Sequence, residues 1–278
     1  MKPGISLFRS RPHILTTPLA LLLCAASISS ASLRAERVDA ELLLLVDASK
    51  SAMDRGEFRS LINGYATAMT SSQVIDSIQM GGVGRIAVSL SFFGDGPTRM
   101  QGVSWMSIGS LSDAQAFADR LRSLAEPSRS NVRFQDAIGP ASRLFGTETG
   151  GPSNGFESSV QLIEIAAASR PEGSAGQNRA ASNAALASGV DWIGVTLLDE
   201  NSGKTEAFYV NNVIGGEVGG ETPGVNQAGF GSGLQSALAK SISNSVGASA
   251  AMTAVPEPSS ALLLISSMAL LLGIRRRA

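Results

Sequence analysis

Asp47, Ser49 and Ser51 set one carboxylate and two hydroxyls at alternate positions of the segment Asp47-Ala48-Ser49-Lys50-Ser51. An all-oxygen set of this kind is hard-ligand chemistry and suits Mg2+ or Mn2+. The same side chains also have a purely structural use, because Asp and Ser readily hydrogen-bond the backbone of a following loop or helix start. Both readings stand at the level of sequence.

Other chemistry is narrowly bounded. Histidine and cysteine occur once each, as His13 and Cys24, both near the N-terminus. With that stretch removed, disulfides, thiol catalysis, a Ser-His-Asp triad and His- or Cys-ligated zinc are all excluded. Gly81-Gly82-Val83-Gly84 is not followed by the Lys-Ser/Thr of a phosphate loop, and Gly203-Lys204-Thr205 lacks the preceding glycine. Asp95, between Gly94 and Gly96, reads as a hairpin residue. Glu41, Asp54 and Glu57 read as a solvated face around the motif. Trp105 and Trp192 fall in strand-like contexts and read as core. No carboxylate pair has a spacing that commits it to glycosidase work, and the expectation is a protein that is not an enzyme.

The elements that must position Asp47 follow from hydrophobic patterning. Leu42 to Val46 is a short apolar run closed by polar residues, which reads as a fully buried strand of a parallel sheet. Ligands of open α/β sheets lie beyond the carboxyl ends of such strands, which is where Asp47 to Ser51 falls. Arg55–Thr70 has helical spacing at Phe58, Leu61, Ile62, Tyr65 and Met69, and Val74 to Ile78 extends it. Arg85–Phe93 alternates as a strand, and Met100–Met106 pairs back on it. Leu111–Leu124 is an amphipathic helix capped by Ser110 or Ser112. Gln135–Phe145 is a short helix, kinked or delayed by Pro140. Gly146–Gly155 reads as a loop, Val160–Ala166 as a buried strand, Asn178–Ala187 as a helix and Asp191–Leu198 as a strand. Asp199–Lys204 is a turn, Ala207–Ile214 an extended piece and Leu234–Val246 the last helix. Strands alternating with helices predict one α/β domain over 37–246, a mostly parallel central sheet flanked by helices.

The two ends read as addresses. Residues 1–35 carry a basic start (Lys2, Arg9, Arg11), an apolar stretch from Leu19 to Ala26 and small residues at Ser29-Ser30-Ala31, the pattern of a secretory signal peptide. Residues 247–254 read as a small-residue linker. Pro256-Glu257-Pro258 then precedes the apolar run Ala261–Ile274 and the cluster Arg275-Arg276-Arg277, with the arginines expected on the cytoplasmic side of a transmembrane helix. Without these ends (Lys2, Arg9, Arg11, Arg34 and Arg275–Arg277, and Glu257), the middle holds 15 basic and 22 acidic residues, a net charge of −7. An acidic middle with no basic stripe argues against a nucleic-acid partner.

Two resemblances rest on these motifs. Asp47, Ser49 and Ser51 resemble the Asp-x-Ser-x-Ser of the metal-ion-dependent adhesion site in von Willebrand factor A domains. Together with the Gly-rich turn, the Arg85-Ile86-Ala87-Val88 strand and Asn212-Val213-Ile214-Gly215-Gly216, they make the chain similar to a bacterial secreted von Willebrand factor A-like family of unknown function. That resemblance implies a Rossmann-like fold and two further ligand loops, a Thr from the second and an Asp from the third. The corresponding positions here are Val132, with Ser130 and Asn131 beside it, and Ala168, neither of which supplies the expected oxygen. The C-terminal tail resembles the PEP-CTERM sorting signal of Gram-negative bacteria. It implies an exosortase-type protease as partner, transient anchoring in the inner membrane, and export to the cell surface or a polysaccharide matrix. The function expected is binding of an extracellular protein or polysaccharide through the loops at the top of the sheet. The alternatives are a metal-independent structural component of a biofilm matrix and, third, a polysaccharide hydrolase.

Overall fold

The computed structural model describes residues 34–49, 53–93, 101–126, 133–171, 173–198, 203–229 and 233–253. In chain order the elements are β1 (Glu36–Arg37), β2 (Glu41–Asp47), α1 (Arg55–Met69), α2 (Ser72–Gln79), β3 (Ile86–Phe93), β4 (Gln101–Ile108) and α3 (Leu111–Arg122). These are followed by α4 (Phe134–Ser142), a 3-10 helix (Arg143–Thr149), β5 (Phe156–Glu157), β6 (Gln161–Ala167), α5 (Ala175–Ala187) and β7 (Trp192–Leu197). The chain continues through α6 (Gly203–Asn212), β8 (Gly215–Gly216), β9 (Val225–Gln227) and α7 (Leu234–Thr253).

The main sheet runs β4-β3-β2-β6-β7-β8, with β9 also paired to β7, and β1 pairs with β5 in a two-stranded sheet of its own. Within the main sheet β3, β2, β6, β7 and β9 are parallel, and β4 and β8 are antiparallel additions at the edges. The expected mostly parallel sheet flanked by helices is therefore present. β2 is its central strand, and all seven of its residues are buried. Alternation assigns Leu42, Leu44 and Val46 to one face and Leu43 and Leu45 to the other. The first face packs under α1, α2, α3 and α7, and the second under α4, α5 and α6. A strand buried on both sides has no polar face, which is why its sequence is an unbroken apolar run rather than an alternating one.

Local signals set most boundaries. Asp54 caps α1 by accepting from the Glu57 amide at 2.8 Å, while the Glu57 carboxylate accepts from the Asp54 amide at 2.6 Å, a reciprocal capping box. These two acids thus start a helix rather than merely facing solvent. Ser110, not Ser112, caps α3, accepting from the Asp113 amide at 3.2 Å.

Four expectations change. Ala207–Ile214 is not extended: α6 covers Gly203–Asn212, because Phe208, Tyr209 and Val213 find the core only when wound helically. Arg179 of α5 fixes the end of that helix by donating to the carbonyls of Asn211, Ile214 and Val210 at 3.0, 3.0 and 3.2 Å. The 146–155 segment is only partly a loop, since a 3-10 helix runs to Thr149 across a kink at Gly146. Pro140 lies inside α4 and does not delay it, since the helix already begins at Phe134. Finally, α7 continues past Val246 to Thr253, through most of the stretch expected as linker.

The Gly81–Gly84 turn has an anion-binding arrangement, but the anion is internal. Asp39 accepts from the amides of Val83 (2.9 Å), Gly84 (2.7 Å) and Arg85 (3.3 Å). Successive backbone N–H groups aimed at one carboxylate form a nest. Gly81 must lack a side chain, since a Cβ there would collide with the Asp39 carboxylate.

Candidate functional site

Asp47 is the last residue of β2, and the amide of Ala48 continues the ladder by donating to Phe93 at 2.8 Å. The strand therefore delivers the carboxylate to the carboxyl-terminal edge of the sheet. One of its oxygens accepts from the Ser49 amide at 3.0 Å, an Asx-type turn that bends the chain away from the strand. Asp47 and Ser49 are both buried. Ser51 lies outside the described residues, as do Ser130, Asn131 and Val132 of the second expected ligand loop.

The third expected position is in view. Ala168 directly follows β6, and Val46 of β2 is registered opposite Ala166, so Ala168 is adjacent to Asp47 at the same sheet edge. It offers a methyl group, half-buried against the hydrophobic core. The nearest carboxylate on that strand, Glu164, points into the core and is buried. Among the described residues no three His, Cys, Asp or Glu side chains converge as a metal group. A dedicated Mg2+ or Mn2+ site needs several hard oxygens, and of the expected set the described residues place Asp47 and Ser49 at this edge, with an alanine methyl at the third position.

What the edge does contain was only partly legible. Tyr209 of α6 donates to the Ser169 carbonyl at 3.0 Å, which ties α6 to the loop after β6. Burial pushes the Tyr209 phenol well above its ordinary value, and the negative charge of Asp47 adds to the effect. Arg170 lies with its guanidinium 4.0 Å from the centre of the Phe208 ring, a cation-π contact that holds an exposed cation over this edge. The sequence concealed Tyr209 and Phe208 because Ala-Phe-Tyr-Val has strand-like composition.

The chain's path parts at this edge. β2 leaves to α1 on one face of the sheet, and its neighbour β6 leaves to α5 on the other. Open α/β sheets bind ligands outside the strand ends where successive connections part in this way. Glu41, at the opposite end of β2, is not on a solvated face: it is buried, and its carboxylate accepts from Asn154 at 2.6 Å. Burial raises its pKa from 4.5 to about 7, partly offset by that hydrogen bond. Trp192 belongs to the core as expected. Trp105 is half-buried and donates its indole N–H to the Leu144 carbonyl at 2.8 Å.

No functionally curated protein matches the sequence. Among solved structures, the pilus adhesin SpaC of Lactobacillus rhamnosus GG is similar at 13% identity and a TM-score of 0.45, over 76% of this chain and 30% of that one. A von Willebrand factor type A protein from Catenulispora acidiphila is similar at 14% identity and a TM-score of 0.44, over 76% of this chain and 43% of that one. Proximal thread matrix protein 1 of the mussel byssus, in a form with a zinc-occupied MIDAS motif, is similar at 11% identity and a TM-score of 0.43, over 76% of this chain and 48% of that one. This chain thus spans less than half the length of each. The fold assignment rests on the strand order and pairing described above. A family model matches residues 37–245, and the chain belongs to that family, described as proteins of unknown function (DUF1194).

Proposed function

We propose that the chain is an exported, non-enzymatic, von Willebrand factor A-like protein that binds an extracellular protein or polysaccharide at the carboxyl-terminal edge of its sheet. The observation that carries this reading is the parting of the chain between β2 and β6 at Asp47 and Ala168, the place where α/β sheets form ligand crevices. The cation of Arg170, held over Phe208 beside it, suits a partner bearing carboxylates, such as an acidic polysaccharide. Binding there is independent of Mg2+ or Mn2+, because Ala168 stands where a ligating Asp would be needed. The signal peptide, the Pro256-Glu257-Pro258 and Arg275–Arg277 sorting tail, exosortase processing, the inner-membrane anchor and the Gram-negative cell surface are part of this reading. The tail, including its apolar run, lies outside the described residues.

The test is retention of the protein on acidic extracellular polysaccharide, with and without EDTA, alongside calorimetry with Mg2+ and Mn2+. The wild type is retained in both conditions and gives no metal-binding heat. Arg170→Ala, folded by circular dichroism, weakens retention. Loss of retention in EDTA refutes metal independence. Unchanged retention in Arg170→Ala moves the contact away from this edge and favours the alternative, a structural matrix component without a discrete site. Mass spectrometry of the mature C-terminus tests the sorting tail: an intact Arg275–Arg277 contradicts processing.

A further inference from the structure

β4 is the outer strand of the main sheet. It pairs with β3 alone, so among the described residues its second edge meets no other strand. On such an edge, the backbone N–H and C=O groups of alternate residues point away from the sheet and form a template for one more strand. Protective charges or a proline blunt many exposed edges, and Gln-Gly-Val-Ser-Trp-Met-Ser-Ile contains neither. It has an irregular register instead. Val88 of β3 lies opposite Met106 and Leu90 opposite Val103, so three steps along β4 match two along β3. Ser91 opposite Gln101 adds a second extra residue to β4. Extra residues of this kind fall out of the ladder and bend the strand.

The bent strand is held firmly from behind. Besides its bond to Leu144, Trp105 places its ring 5.4 Å from that of Phe145. The Val103 carbonyl accepts from the Ser89 hydroxyl at 2.8 Å, and the Ser107 hydroxyl donates to Glu36 at 2.8 Å. On the other face, β4 and the end of α3 border a groove of about 400 Å3. Val103, Met106 and Leu124 give it apolar walls, and the exposed Ser104 and Arg120 lie on its rim. Arg55, Arg85 and Arg122 are ion-paired to Glu126, Glu36 and Asp119, whereas Arg120 has no such pair among the described residues. Arg120 also complements the carbonyl end of α3, in whose last turn it lies. On a middle segment with a net charge of −7, this cation sets the sign of what the groove attracts.

We propose that this groove docks an extended, acidic peptide segment of a partner protein, which adds to the sheet as a strand beside β4. Its backbone pairs with the open edge, an apolar side chain seats among Val103, Met106 and Leu124, and a carboxylate meets Arg120. The open row of amide and carbonyl groups selects a peptide, since a polysaccharide has no matching row. A second copy of this chain is disfavoured. Each copy carries the same negative middle, and two bulged β4 strands do not match in register. The groove is separated from the Asp47 edge by β3 and does not depend on what binds there.

The probe is a blocked eight-residue peptide of alternating valine and threonine with one central glutamate. It is added to the full chain at millimolar concentration and followed by amide hydrogen exchange. Residues 101–108 gain at least about tenfold protection, while β6 and β7 do not change. N-methylating one alternate set of peptide amides abolishes the gain and N-methylating the other set spares it, because a strand pairs through one edge. Arg120→Gln, or glutamine in place of the peptide's glutamate, weakens binding about three- to fivefold, as for an exposed ion pair, and the two changes together cost no more than one. No gain in protection, a gain that survives both methylated sets, or losses that add in the combined change overturns the proposal. Sedimentation without peptide tests the second copy: dimers that the peptide dissociates assign the edge to self-association and overturn the proposal as well.

Discussion

Replacing Asp39 isolates what the internal nest is worth. The side chain is buried, and its two oxygens receive the amides of Val83, Gly84 and Arg85, the chain that links α2 to β3. Asp39→Ala leaves three N–H groups without their acceptor. A charge-assisted hydrogen bond in a buried site contributes about 1.5–3 kcal/mol. Val83 is 40% exposed, so water replaces part of what is lost. The expected net cost is about 3 kcal/mol, read as a lower denaturation midpoint with an unchanged slope. Asp39→Asn keeps one carbonyl oxygen but turns an NH2 toward amide donors, and is expected to cost about 2 kcal/mol. Gly81 supplies the internal control. A methyl at Gly81 collides with the Asp39 carboxylate, so Gly81→Ala is costly in the wild type and well tolerated in Asp39→Ala. The double-mutant cycle should therefore show coupling above about 1 kcal/mol. The emptied nest should also accept sulfate, raising the melting temperature of Asp39→Ala more than that of the wild type. A cost under about 1 kcal/mol for Asp39→Ala, or additive Gly81 and Asp39 effects, would refute the reasoning.

Glu41 and Glu164 are both raised by burial to about 7, so global stability is greatest near pH 4.5 and falls as pH rises to about 7, by up to about 3 kcal/mol for each group. Urea titrations across that range check this, and Glu41→Gln and Glu164→Gln should each flatten the curve by their own share. On the acid side, Glu36 (held below its ordinary value chiefly by hydrogen bonds from Arg85 and Ser107) and Asp113 (chiefly by Ser110) lose their contribution as pH falls through their folded values. Arg179→Ala removes three bonds to the last carbonyls around α6 and should cost about 2 kcal/mol, with hydrogen exchange quickening first in residues 203–212.

The main strands were readable because burial on both faces writes itself as an unbroken apolar run. Leu42–Val46 shows it outright, while Leu162–Ile165 and Ile193–Leu197 show it with Glu164 and Thr196 set among apolar residues, and each is a strand of the parallel sheet. α1 and α3 were readable because their apolar spacing and acceptor caps are local. Of the candidate site, the sequence placed Asp47 at a strand's end and Ala168 at the third loop, since both positions follow from where strands stop. It did not yield Tyr209, Phe208 or Arg170 as their neighbours, because that grouping depends on a helix 40 residues away in Tyr209–Ser169 separation.

The sequence by itself determined the alternation of strands and helices and the position of Asp47 at the sheet's edge. Tertiary structure alone decided the fate of the acids. Asp39 became the anion of its own nest, Glu41 and Glu164 went into the interior, and Asp54 and Glu57 became a helix cap. The physical reason is that an apolar residue gains from leaving water almost wherever it goes. A carboxylate is tolerated inside only where specific donors await it, and those donors come from parts of the chain that only folding brings together.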